Sequence, residues 1–285
     1  MVYVTTHQPT IISVDFCVSF FRSLHDSGLA SSIINSLKSA LTVPIRYDFG
    51  ICWNEDPFNN IAKSWVAQCP KSPPKPISWS LAKVLDAAAA IRVDCKDEAL
   101  LLKKTAFLLS LGSAGRISEM AALQRGGDSV TFLPSGSVRL TPDPKFLAKN
   151  EPKDARWEPW SIPPLPECPS LCPVTTLRQY LEVTKSYEPG QLFRGETSGH
   201  DLTIKQLSQK IVYFIEGADP NQNANVHQIR SVATSLNFMK FLCFDELKSY
   251  TGWKSPRVFF KHYLKSISEI SVPVVAAGKV VRPRN

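Results

Sequence analysis

The stretch DEALLLKKTAFLLSLGS, residues 97–113, constrains the fold more than any other. It predicts a helix that is apolar on nearly every face. Such a helix is stable in water only when other elements enclose it, so it reads as a central core helix. Asp97 and Glu98 lie at its start, where the helix dipole favours negative charge. GSAG breaks it, and RISEMAALQ predicts a short helix restarting at Arg116. Lys103 and Lys104 interrupt the apolar run, and Lys, Arg, Asp, Glu or Pro interrupts every other candidate. No stretch reaches the length of a membrane span, and no membrane partner is expected.

The chain before this core helix reads as helical. Residues 11–28 place Val14, Cys17, Val18, Phe21 and Leu24 at helical spacing, with Gly28 as a stop. SSIINSLKSAL follows, with Ser31 or Ser32 as cap and Pro44 as terminator. FNNIAKSWVAQC, after Asp56-Pro57, predicts a third helix. The ten residues CPKSPPKPIS then hold four prolines and read as a semi-rigid linker. The expected organisation is a helical domain over 1–70, a linker over 71–78, a second domain over 79–270 and a tail over 271–285.

The second domain opens with SLAKVLDAAAA, capped by Ser78 or Ser80. Beyond Gly126-Gly127 the period changes from helical to alternating. DSVTFL and SVRLTP, joined by Pro-Ser-Gly, predict a hairpin, and WEPWSI predicts a third short strand. A loop carrying Lys145, Lys149, Lys153 and Arg156 lies between the last two strands. PVTTLRQYLEVT, TIKQLSQKIVYFIEG and the stretch from Asn225 onward return to helices. The fold class is mainly α with one small antiparallel sheet.

A net charge of +8 over 285 residues favours a polyanionic partner. The seven cysteines are odd in number and scattered, which suits reduced thiols inside a cell. The first ten residues lack the basic-then-apolar pattern of a secretory signal. Cys168 and Cys172 have no second Cys/His pair at zinc spacing, so ECPSLC reads as a loop and no metal is expected.

Four places carry residues suited to phosphate chemistry. HQIR puts His227 and Arg230 one turn apart on one helix face, where Arg can give a phosphate two parallel hydrogen bonds and His a third. Arg116 follows the Ser-Ala-Gly break at a helix start, where backbone N–H groups favour anions. Glu119, three residues on, could orient a neighbouring Arg or His, or form a simple surface ion pair. Trp253 in TGWKSP offers a donor-only N–H, or fills the core. Tyr263 shares helical spacing with Phe259 and Phe260. Its phenol, with a free pKa of about 10, attacks phosphorus only if cations hold the phosphate and an acid protonates the leaving oxygen.

Taken in order, GRISEM, a lysine-bearing loop after a hairpin, HxxR, GW and Tyr resemble the tyrosine recombinase (phage integrase) family across nearly the whole chain. FLAKN, LCPVTTL and GWKSPRVFFKHYL look most like recombinases of eukaryotic mobile elements, the Crypton and DIRS/Ngaro groups. The resemblance implies a helical, SAM-like core-binding domain and a mixed α+β catalytic domain that close on duplex DNA as a C-shaped clamp. It implies that Arg116 and Arg230 hold the scissile phosphate, that His227 hydrogen-bonds it, and that Trp253 stands where many relatives carry a second His. Tyr263 would be the nucleophile, giving a 3′-phosphotyrosyl intermediate, with Lys149 as general acid and Lys153 as the alternative. The Trp-to-Tyr interval is one residue longer than bacterial relatives usually show, and His262 occupies the shorter spacing. The remaining implications are a homotetramer on two DNA sites, nuclear residence, no cofactor and no small-molecule substrate. Two other readings remain open at this point: a type IB topoisomerase, and a catalytically silent domesticated DNA-binding protein.

Overall fold

The computed structural model describes residues 12–52, 60, 64, 76–147, 159–195, 200–220 and 223–240. The chain divides into two compact units, Met1–Pro73 and Pro74–Asn285.

In the first unit, α1 (Val14–Asp26) begins at Ser13, whose hydroxyl accepts the Phe16 N–H at 3.2 Å. It stops two residues before Gly28, where Ser27 forms the cap. Its apolar stripe supplies Cys17 and Phe21, which are buried with Ile34 of α2 (Ser31–Phe49). Two expectations for α2 are corrected. The residue at its cap position is Ala30, which provides no side-chain hydrogen bond, in place of the expected Ser31 or Ser32. Pro44 does not end the helix, which runs on to Phe49. Ala40, whose carbonyl the Pro44 nitrogen cannot reach, is exposed to water. Leu37, Leu41 and Ile45 meanwhile continue the stripe against the cluster on both sides of the proline. The stop is Gly50, left-handed at φ 67°, whose N–H returns to the Arg46 carbonyl at 3.1 Å. Of the expected third helix, only Asn60 and Ser64 are described, and both are helical.

The second unit is built around the apolar stretch identified above. It forms α4 (Glu98–Ser113), capped by Asp97, whose Oδ1 accepts the Leu100 N–H at 3.0 Å. From Leu101 to Ser113 every residue but Lys103 is buried. Around α4 pack α5 (Ile117–Ala121), α6 (Pro173–Val183), α7 (Ile204–Ala218) and α8 (His227–Lys240). The helix α3 (Leu81–Ala90), capped by Ser80, lies against α7 and the 3-10 turn Pro169–Leu171. Asp219, at the end of α7, ties this layer down. Its carboxylate accepts the Ser80 N–H at 2.8 Å and the Lys83 ammonium at 2.7 Å. A lysine is enclosed with the core. Lys104 is 1% exposed and donates to the Ile91 carbonyl at 2.7 Å. Burial pushes its ammonium down to about 8.

The expected hairpin is present as β2 (Val130–Phe132) and β3 (Val138–Leu140). Gly136, at φ 82°, turns it, and β4 (Trp160–Ile162) pairs with β3 in the register Leu140↔Trp160. A second sheet was not expected: β1 (Gln124–Arg125) pairs antiparallel with β5 (Gly190–Gln191). Pro173 is the first residue of α6, and the buried Cys172 before it uses its sulfur as the cap, accepting the Thr175 N–H at 3.4 Å. Among the described residues no group of His, Cys, Asp and Glu is placed to hold a metal, and no helix is long and apolar enough to cross a membrane.

Candidate phosphate-binding site

The site forms where α4 ends. Ala114 takes a left-handed conformation (φ 50°, ψ 25°), the one non-glycine residue with positive φ among those described. Gly115 follows in a crowded space. A Cβ there would come within 2.7 Å of Met120 Cε and 3.1 Å of Trp160 Cζ2. Arg116 then caps α5.

Glu119 is the hub. It is 1% exposed. Its Oε2 accepts the Arg116 backbone N–H at 2.6 Å, and its Oε1 accepts the Arg116 guanidinium at 2.6 Å. The same Oε2 lies 3.8 Å from Nη1 of Arg230. A carboxylate this deep is stable only when charge-paired and hydrogen-bonded, and here two guanidinium groups surround it. The surface ion pair left open by the sequence is therefore excluded. The helix that Arg116 caps is five residues long, and the backbone N–H at its start is already taken by an anion, the Glu119 carboxylate.

Arg230 reaches the cluster from α8, one turn after His227, as the HQIR spacing predicts. Its Nη1 donates to the Ala114 carbonyl at 2.7 Å. The Arg230 side chain is 8% exposed and that of Arg116 38%. The cluster thus runs from a buried guanidinium to one that opens on solvent. His227 is exposed, and its backbone N–H is held by Asn225 Oδ1 at 2.9 Å. Two guanidinium charges against one carboxylate leave the cluster one positive charge in excess, which is the requirement for gripping an oxyanion.

The structure brings Arg116, Glu119 and Arg230 together and places His227 on the helix that carries Arg230. Lys149, Lys153, Trp253 and Tyr263 lie outside the described residues. The connection that contains both lysines leaves β3 and returns through β4, two strands hydrogen-bonded to each other. Sequence reading misses the Ala114 carbonyl. Its signal was the SAG break, which read as a helix interruption and nothing more.

No protein-family profile and no curated protein sequence matches this chain. Solved structures do. One is XerH site-specific recombinase bound to palindromic difH substrate, in a post-cleavage complex. It is 16% identical, with 88% of this chain and 69% of that one covered at a TM-score of 0.59. A second is residues 82–397 of the Tn1549 transposon integrase in complex with circular intermediate DNA. It is 13% identical, covering 90% and 82% at 0.58. A third is a lambda integrase dimer bound to a COC′ core site, 13% identical, covering 92% and 83% at 0.51. The fold is that of the tyrosine recombinases. At these identities the likeness describes architecture, and the chemistry has to be argued from the Arg116–Glu119–Arg230 cluster.

Proposed function

We propose that this protein is a site-specific DNA recombinase or integrase that breaks and rejoins strands through a phosphotyrosyl intermediate. The observation that carries the reading is the Arg116–Glu119–Arg230 cluster, net positive, in a tyrosine-recombinase fold. Arg116 and Arg230 hold the non-bridging oxygens of one phosphodiester and stabilise the charge that grows on them as phosphorus becomes five-coordinate. His227 and the Trp253 indole N–H add hydrogen bonds to the same group. The Tyr263 hydroxyl attacks phosphorus, and His227 takes the phenolic proton. The P–O5′ bond breaks, and Lys149, with Lys153 as the alternative, gives a proton to the leaving 5′-oxygen. The 3′-phosphotyrosyl ester keeps the energy of the broken bond. An incoming 5′-hydroxyl can therefore release the tyrosine and rejoin the strand by reversing the same steps.

Duplex DNA is the substrate and partner in this reading, and a net charge of +8 favours it. Four copies act together on two DNA sites, in the nucleus of the host of a mobile element. The transposon integrase among the similar structures and the Crypton/DIRS-like phrases FLAKN and GWKSPRVFFKHYL support the mobile-element setting.

The test uses nicked duplexes of randomised sequence, from which cleavage beside the nick releases a short fragment and traps the covalent state. Wild type is expected to give a protein–DNA adduct that survives detergent, and Tyr263→Phe none. An adduct formed by Tyr263→Phe would mean another residue attacks. Relaxation of supercoiled plasmid with no recombined product would favour a topoisomerase instead. DNA binding with no adduct from wild type would leave a silent DNA-binding protein.

A further inference from the structure

The hydroxyl of Ser113 is buried at the end of α4, and neither the recombinase reading nor the motifs give it a task. It donates to the Leu109 carbonyl at 2.7 Å and accepts the Gly115 N–H at 3.0 Å. A hydroxyl can do both at once, and here it links the last turn of α4 to the first residue beyond the left-handed Ala114. That link fixes the peptide group between Ala114 and Gly115. The carbonyl of that peptide group is the one that accepts Arg230 Nη1 at 2.7 Å. The next residue along is Arg116.

We infer that Ser113 is a positioning residue, whose hydroxyl locks the Ser113–Ala114–Gly115 turn so that the Ala114 carbonyl sets Arg230 in register with Arg116. The inference rests on the proposed recombinase reading. Three observations converge on the turn. An alanine rather than a glycine occupies the left-handed position, although Ala adopts it only against a steric penalty. The next residue is a glycine whose missing Cβ would stand 3.0 Å from the Ser113 hydroxyl and 3.1 Å from Trp160 Cζ2, so the turn is closely packed on that side. Glu119, which lies against both arginines, sits on the helix the turn introduces. Ser113 touches neither arginine, so its influence on a bound phosphate passes through the Ala114 carbonyl to Arg230.

The experiment compares single-turnover adduct formation on the nicked duplexes with binding to the same duplexes. Ser113→Ala is expected to slow adduct formation about tenfold while DNA affinity changes by less than about twofold. Ser113→Thr keeps the hydroxyl and is expected to restore the rate to within about threefold of wild type. In an Arg230→Lys background the added effect of Ser113→Ala falls below about twofold, because the guanidinium that the turn places is no longer there. A wild-type rate in Ser113→Ala, or a full tenfold loss that persists beside Arg230→Lys, overturns the inference while leaving the recombinase reading intact. If wild type forms no adduct, the recombinase reading falls by itself, and melting temperatures decide the positioning. Strictly additive shifts for Ser113→Ala and Arg230→Lys overturn it, and non-additive shifts uphold the coupling.

Discussion

Glu119 accepts a backbone N–H and the guanidinium of Arg116, and Asp219 accepts a backbone N–H and the ammonium of Lys83. Both carboxylates are buried. They differ in how much positive charge surrounds them. Asp219 faces one ammonium on a largely exposed side chain, so the pair is neutral and serves to join α3 to the end of α7. Glu119 faces two guanidinium groups, one of them buried as well. Charge is therefore left over at Glu119 and not at Asp219. The same local device is a neutral latch in one place and a net positive cluster in the other. Placing two like charges around one carboxylate costs stability that neutral packing would not, a cost that functional sites commonly carry.

Substitutions can break this comparison on either side. The largest effect is expected from Arg116→Ala, which removes the solvent-facing guanidinium. Adduct formation on nicked duplexes should fall by about a hundredfold to a thousandfold, the usual loss when one group stabilising a developing oxyanion is removed. Glu119→Gln comes next. The amide keeps the shape but leaves two guanidinium groups without a counter-charge, and breaking such a buried pair costs about 3 kcal/mol or more. Its melting temperature should fall and its adduct rate drop about tenfold, with Glu119→Asp intermediate in both. Equal rates in Glu119→Gln and wild type would show that the carboxylate acts as a latch like Asp219. The smallest effect on chemistry is expected from Asp219→Asn, whose adduct rate should stay within about twofold of wild type.

Asp219→Asn is instead expected to show in acid. The Lys83 ammonium and the Ser80 N–H hold the Asp219 carboxyl below the usual carboxylate range. A folded value below the unfolded one, about 3.9, means that the stabilisation is complete above that pH. It is lost as pH falls through the lower folded value. Melting temperatures should separate wild type from Asp219→Asn at neutral pH and converge toward pH 3 and below. A constant gap across that range would show that the Asp219 charge contributes nothing to the latch.

Much of the framework was legible because it depends on neighbours in sequence. Asp97 before an apolar run, Pro173 at a helix start, and Pro-Ser-Gly between two alternating runs each fix a local geometry. Pro44 misled for the same reason. A proline is a local stop signal, and the apolar stripe on both sides of it prevailed. The β1–β5 pair escaped notice because two residues per strand carry no period to read. At the site, the HQIR spacing announced that His227 and Arg230 share a helix. What it could not announce was that Glu119 is buried. That burial comes from long-range packing, with α7 and α4 against the helix that carries Glu119 and α8 delivering Arg230 to the same turn. Long-range packing also set the role of Ala114, since nothing near SAGR indicates which side chain its carbonyl will meet.

The Arg230–Ala114 hydrogen bond joins residues 116 positions apart. During synthesis Arg116 leaves the ribosome well before α8 exists. Until α8 seats, Glu119 is paired with Arg116 alone, and the cluster carries no surplus charge. The surplus charge at this turn is thereby a product of tertiary assembly, absent from any chain that has not yet brought α8 onto α4.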